Sequence, residues 1–302
     1  MTRWIPAAVV AVLTAATSAQ RPASAPAPVD LVELDVVALD RSEKPVTDLR
    51  QEDFTIKEDG RRVDLKTFAM VTALGSSQPD DGRVVTLLMD DIGVPLAGTS
   101  RMQQIAPVVL APMGDGDELS IVRLSSRSDE AFGDVDTARH RIAGYRGGAA
   151  PFQRRDTSET VLKAITKIAR QLEPIDHRRK VILCLGMTAV CDVGEPQLGG
   201  DSPDRSLWVD ALAATARANA SLYVVDPTGA RGSAFTSDGL ARLTGGRSFH
   251  ENDFAPPGEA IWREAGHYYL IGYWPGESKR ELHAIDVSVA RKGVHALARQ
   301  RR

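Results

Sequence analysis

The chain has 302 residues, 43% of them hydrophobic and 25% charged, with a formal net charge of −3. That is ordinary globular composition, long enough for one large domain or two smaller ones. It excludes a general nucleic-acid binder, which would show a basic excess or stripe, and its two cysteines match no zinc spacing and make no disulfide-dependent scaffold.

Residues 1–19 read as a secretory signal. Arg3 supplies the charge, Trp4 to Ala16 the apolar core, and Thr17-Ser18-Ala19 the small residues for cleavage. The apolar run falls short of the roughly 20 residues that span a bilayer, so an uncleaved anchor is the lesser alternative. The mature chain is expected to be secreted or periplasmic, with no later transmembrane segment. Residues 20–28 are rich in Ala and Pro and read as a disordered spacer.

Residues 29–72 read as a small antiparallel β unit. Leu31 to Leu39 form a strand, Asp40 to Pro45 a turn, and Phe54 with Ile56 a second strand. Asp59-Gly60 is a hairpin turn, and Val63, Leu65 and Phe68 lie on a third strand. Glu52, Asp53, Glu58 and Asp59 read as a solvated turn face. Ala73 to Gly82 is a Gly/Ser/Pro/Asp linker.

Residues 83–266 alternate strands with helices, the pattern of a parallel sheet with crossover helices. Val84 to Met89 is an unbroken apolar run, as in a strand buried on both faces, and it stops on Asp90 and Asp91. A helix follows around Met102, Ile105 and Val109, with Thr99 or Ser100 as N-cap. Glu118 to Leu124 is a strand, and a weaker one is expected at Asp129 to Val135. The clearest helix carries Val161, Leu162, Ile165, Ile168 and Leu172, with Asp156 and Glu159 as a capping pair. Lys180 to Leu185 is a buried strand, Gly186 to Pro203 a long loop, and Leu207 to Ala218 a helix. Ser221 to Val225 is a buried strand ending at Asp226, and short elements follow around Leu240, Arg247 and Ile261. Cys184 falls inside the strand and Cys191 in the loop after it. They read as a buried thiol beside a loop thiol, although export would permit a bridge.

Residues 267–302 return to strand character and are expected to pack with 29–72. Tyr268, Tyr269, Tyr273 and Trp274 read as filling the core of that β unit. The basic end, Arg299, Arg301 and Arg302, reads as a solvated tail.

The blocks KPVTDLRQEDFTIKEDG, RVVTLLMDD, GDELSIVRLSS, RRKVILCLG, ASLYVVDPTG and YYLIGYWPGE resemble exported bacterial proteins carrying a von Willebrand factor type A-related domain. The resemblance implies an α/β fold with a doubly wound, mostly parallel sheet, a VWA-like three-layer architecture. It also implies a role in binding proteins or surfaces. Type A domains often hold a divalent cation on an Asp-x-Ser-x-Ser motif, a Thr and a further Asp. Here Asp90 matches, Ile92 and Val94 stand at the two Ser positions, and the Thr could be Thr157 or Thr160. After the later strand the sequence runs Leu185-Gly186-Met187-Thr188, without the further Asp. The resemblance thus gives a degenerate site on Asp90, Asp91 and Thr157. No cofactor is required, and a cation held there would be Mg²⁺ or Mn²⁺.

The expected function is an exported protein-interaction module, for adhesion or as a scaffold, with its binding surface at Asp90, Asp91, Thr157 and Asp226. No partner is identifiable from the residues. The alternatives are a secreted hydrolase with a non-motif active site at the same sheet end, or a purely structural envelope protein. The chain lacks the Gly-x-Ser-x-Gly elbow, the zinc-protease histidine spacing and the phosphate-loop patterns. It is therefore not expected to be an enzyme.

Overall fold

The computed structural model describes residues 31–72, 82–125, 135–148, 154–196, 204–229, 239–276 and 280–302. The signal segment, the spacer, most of the linker and the weak strand expected at 129–135 lie outside them, except that residue 135 opens a helix. Twelve strands are described: β1 Val32–Leu39, β2 Phe54–Glu58, β3 Arg61–Arg62, β4 Leu65–Thr72, β5 Val84–Met89, β6 Glu118–Arg123, β7 Lys180–Leu185, β8 Ala220–Val225, β9 Ser248–Phe249, β10 His267–Tyr273, β11 Ile285–Val289 and β12 His295–Leu297. The α-helices are α1 Thr99–Leu110, α2 Val135–Ala143, α3 Arg154–Leu172, α4 Thr188–Cys191, α5 Arg205–Ala218, α6 Leu240–Leu243 and α7 Ala255–Gly266.

The α/β part is a five-stranded parallel sheet in the order β6-β5-β7-β8-β9. Every residue of β5, β7 and β8 is buried, which explains their unbroken apolar runs. Val84 and Leu88 face α3 and α5, whereas Val85, Leu87 and Met89 face α1, α2 and α7. The chain therefore winds on both faces, as the sequence predicts. Counting strands within this sheet, the order is 2-1-3-4-5. The winding reverses between β5 and β7, and open sheets of this kind bind ligands at the carboxyl ends of the strands beside that reversal.

Both chain ends build the antiparallel unit. One sheet runs β12-β1-β10-β4 and another β11-β2-β3. The Asp59-Gly60 turn joining β2 to β3 has φ of +50° and +80°, the paired positive values that suit a two-residue hairpin. The single third strand expected here is instead two, β3 pairing with β2 and β4 crossing to pair with β10.

A buried ion-pair network joins this unit to the α/β sheet. Arg179, immediately before β7, is 1% exposed and Asp35 of β1 is 8% exposed. The Arg179 guanidinium donates to Asp35 and to Ser221 Oγ (3.1 Å), and lies over the Tyr268 ring at 5.1 Å. Asn219 Nδ2 donates to the other Asp35 oxygen at 2.9 Å. Burial pulls the Arg179 pKa down, but the Asp35 carboxylate outweighs it and holds the guanidinium above the usual arginine range.

Several local expectations are corrected. Arg299 is no solvated tail: it is 6% exposed and donates to Glu33 O (2.8 Å), Ala216 O and Asn219 Oδ1. Arg302 pairs with Glu58, which is 5% exposed and so not part of a solvated face. The three tyrosines of β10 are buried, but Trp274 is 52% exposed. The N-cap of α1 is Gly98, while Thr99 Oγ1 accepts from Gly147 N at 3.0 Å. Asp156 lies inside α3, and Glu159 pairs with Arg155 and Lys163 on the same helix. Finally, Cys184 and Cys191 form a disulfide. The short helix α4, unseen in the loop sequence, turns Cys191 back toward the strand that carries Cys184.

Candidate functional site

Three carboxylates sit at the carboxyl ends of β5 and β8, and each is committed to holding a loop. Asp90 is fully buried. Its Oδ1 accepts from Ile92 N (3.2 Å) and Gly93 N (2.6 Å), and its Oδ2 accepts from Met187 N (3.3 Å). Its own carbonyl accepts from Tyr145 Oη at 2.7 Å. Asp91 turns the other way and accepts from Ser125 N (2.9 Å) and Ser125 Oγ. Asp226, 1% exposed, accepts from Thr188 N (2.7 Å), Thr228 N (2.8 Å) and Thr228 Oγ1 (2.5 Å).

Asp90 and Asp226 thus grip consecutive residues of one loop. Met187 N–H points at the first and Thr188 N–H at the second, so backbone dipoles provide the positive charge that the two acids face. Gly186 makes this approach possible. A Cβ on it would lie 2.3 Å from the Asp90 Cβ and 2.8 Å from Cys191 Sγ. The disulfide fastens the far end of the same loop to β7. Thr157 is buried in the first turn of α3.

Asp192, which belongs to no motif in the sequence, does similar work next door. It is 6% exposed and accepts from Ala241 N (2.9 Å) and Ser248 Oγ (2.6 Å), tying α4 to α6 and β9. Tyr145 and Arg101 were also missed. The Arg101 guanidinium lies 5.2 Å from the Phe254 ring and its Nε donates to Pro227 O. The signal that could have found these residues is weak, because their partners, whether backbone atoms, Ser248 Oγ or the Phe254 ring, lie far along the chain.

The donor set does not fit a magnesium or manganese site. Hard cations of this size want several oxygens on one centre. The two hydroxyl positions are Ile92 and Val94, Asp91 is directed to Ser125, and the lone pairs of Asp90 are largely taken by three N–H groups. Among the described residues, no group of three or more His, Cys, Asp or Glu side chains is placed to hold a metal ion.

Burial is the main cause that raises the Asp90 pKa, and the Asp91 charge adds to it; the three N–H bonds oppose but do not cancel it. The folded state therefore holds this proton more tightly than the unfolded chain. Stability from protonation is present at low pH and is lost as pH rises through the folded-state value. Asp90→Asn carries a neutral group that does not titrate. Urea melts of both proteins should show the stability difference moving in favour of the wild type as pH falls from 7 toward about 4.5. A difference constant across that range would contradict the burial argument.

Beside these loops lies a cleft of about 510 Å³. Val94 and Pro95 from the loop after β5, Arg101 from α1, Pro227 and Thr228 from the loop after β8, and Asn252 after β9 line it. Leu96, the residue after Pro95, is 57% exposed. Thr188 Oγ1 lies 3.2 Å from His250 Nδ1, but Thr188 is 1% exposed.

No protein-family model matches the chain, and no curated protein matches it. Among solved structures it is similar to an aerotolerance-related membrane protein from Bacteroides fragilis NCTC 9343 with multiple mutations to serines. The identity is 14% and the TM-score 0.41, over 61% of this chain and 98% of that one. It is also similar to the conserved hypothetical protein BatB from Bacteroides thetaiotaomicron, at 14% identity and a TM-score of 0.40, over 61% and 97% of the respective chains. Identity and TM-score are both too low for function to pass from those proteins to this one.

Proposed function

We propose that the chain is an exported protein-binding module of the von Willebrand type A-related kind, engaging its partner through the carboxyl end of the parallel sheet without a bridging cation. The observation that carries this reading is the cleft at the sheet's carboxyl end. Its walls come from three separate strand-end loops and the start of α1, and Leu96, next in the chain to the lining residue Pro95, is exposed. Apolar lining such as Val94, Pro95 and Pro227 with a few polar groups such as Thr228 and Asn252 is ordinary recognition surface. The buried carboxylates underneath act as struts. They hold the loops in one shape, which lowers the ordering cost that binding would otherwise incur. Among the described residues no helix is long and apolar enough to cross a membrane, which is compatible with a module that works beside an envelope.

The reading is tested with Leu96→Glu. This side chain is exposed, so the fold should keep its melting temperature. Cross-linking pull-downs from the native envelope extract should recover a specific partner with the wild type and lose it with the variant. Equal recovery with both proteins would remove the cleft from the interface.

A further inference from the structure

A second cleft, of about 570 Å³, lies on the antiparallel unit, away from the strand-end loops. One wall is the chain from Arg61 to Lys66, and the opposite wall carries Trp274, Arg280 and His283. The protein as a whole is acidic, at −3, yet this cleft is locally basic. Of the acids in its walls, Glu58 is engaged by Arg302 and by Gly276 N at 3.0 Å. Asp59 accepts from His283 Nδ1 and Ala284 N, both at 3.0 Å, and pairs with Arg280 at 3.9 Å. That leaves Asp64 against Arg61, Arg62 and Lys66, all exposed. Trp274 presents its indole beside them, 52% exposed.

We infer that this cleft is a binding site for an acidic peptide segment, separate from the surface at the carboxyl end of the α/β sheet. Trp and Arg are the side chains that most often dominate protein-recognition energies, and guanidinium forks match carboxylates in geometry. The shape of the wall favours an extended chain over a compact headgroup. Arg61 and Arg62 form β3, the edge of the sheet β11-β2-β3, and on its other side no strand pairs with it among the described residues. An extended peptide can lie along such an edge while its carboxylates meet the guanidiniums.

The full chain can be titrated with hexaglutamate, with hexalysine as control, while tryptophan emission is followed. Trp208 and Trp262 are buried, and Trp4 is replaced (Trp4→Phe) in every protein titrated, so a blue shift reports Trp274. The expected result is a saturable blue shift with hexaglutamate and none with hexalysine. The double variant Arg61→Glu, Arg62→Glu should weaken binding at least tenfold at an unchanged melting temperature, and Arg61→Gln, Arg62→Gln should fall between. Leu96→Glu should bind hexaglutamate as the wild type does, which separates this site from the other surface. The inference is overturned if hexaglutamate gives no shift, or if the double reversal leaves the titration unchanged. It is also overturned if phosphatidylglycerol vesicles or polygalacturonate shift the emission where hexaglutamate does not.

Discussion

Asp35→Ala is expected to cost about 3–5 kcal/mol of stability, the usual penalty for removing one partner of a buried ion pair. The Arg179 side chain is fully buried and Asp35 is its carboxylate partner. Without Asp35 the guanidinium keeps its charge in a site closed to water, with Ser221 Oγ and the Tyr268 ring as its remaining neighbours. Asn219 also loses an acceptor. The melting temperature should fall by about 10 °C in a chain of this size. A double replacement separates the pair from the charge it leaves behind. Asp35→Leu with Arg179→Met removes both charges at similar volume, and should recover most of the loss. Chemical denaturation of the wild type, Asp35→Leu, Arg179→Met and the double replacement closes the cycle. If Asp35→Ala cost less than about 1 kcal/mol, the pair would not be what joins the β unit to the sheet.

The second large effect belongs to Asp90. Asp90→Ala withdraws the acceptor of three backbone N–H groups, those of Ile92, Gly93 and Met187. A buried donor left unpaired costs about 1–3 kcal/mol. Ile92 and Met187 are only partly buried, so water can repair part of the damage. We expect a loss of about 2–4 kcal/mol, reported by a lower urea midpoint at unchanged slope. The damage should be local, since the loops after β5 and β7 share this one acceptor. Hydrogen exchange at Gly93 and Met187 should speed up, while the amides at the centres of β7 and β8 stay protected.

The parts of the fold legible in the sequence were those decided by local pattern. Val84–Met89, Lys180–Leu185 and Ala220–Val225 are apolar throughout because both faces of the sheet are covered. The return of strand character after His267 correctly indicated that the two chain ends share one β unit. The parts that could not be read depend on pairings across long separations. Asp35 and Arg179 are 144 residues apart, and neither stands out in its own segment. Arg299 looked like a charged tail because nothing nearby shows that Glu33 O, Ala216 O and Asn219 will surround it. The disulfide depended on α4, four residues long and without a periodic signature.

The candidate site was legible in position and opaque in role. Asp90 and Asp226 lie at the strand ends where the apolar runs predict them. Their partners are backbone N–H groups of Met187 and Thr188, which leave no trace in residue identity. Gly186 lies in the segment where the resemblance expects a further Asp. In the structure it is the residue whose lack of a side chain lets the loop close onto Asp90.

Asp90 acts on the loops as the acceptor of three backbone N–H groups, and a cation would have to compete with them. Thermal unfolding of the wild type and Asp90→Ala, each with and without millimolar Mg²⁺ or Mn²⁺, tests it most directly. Asp90→Ala should melt lower by about 5–10 °C, and neither cation should move either protein. A cation that raises the melting temperature of the wild type but not of Asp90→Ala would contradict it.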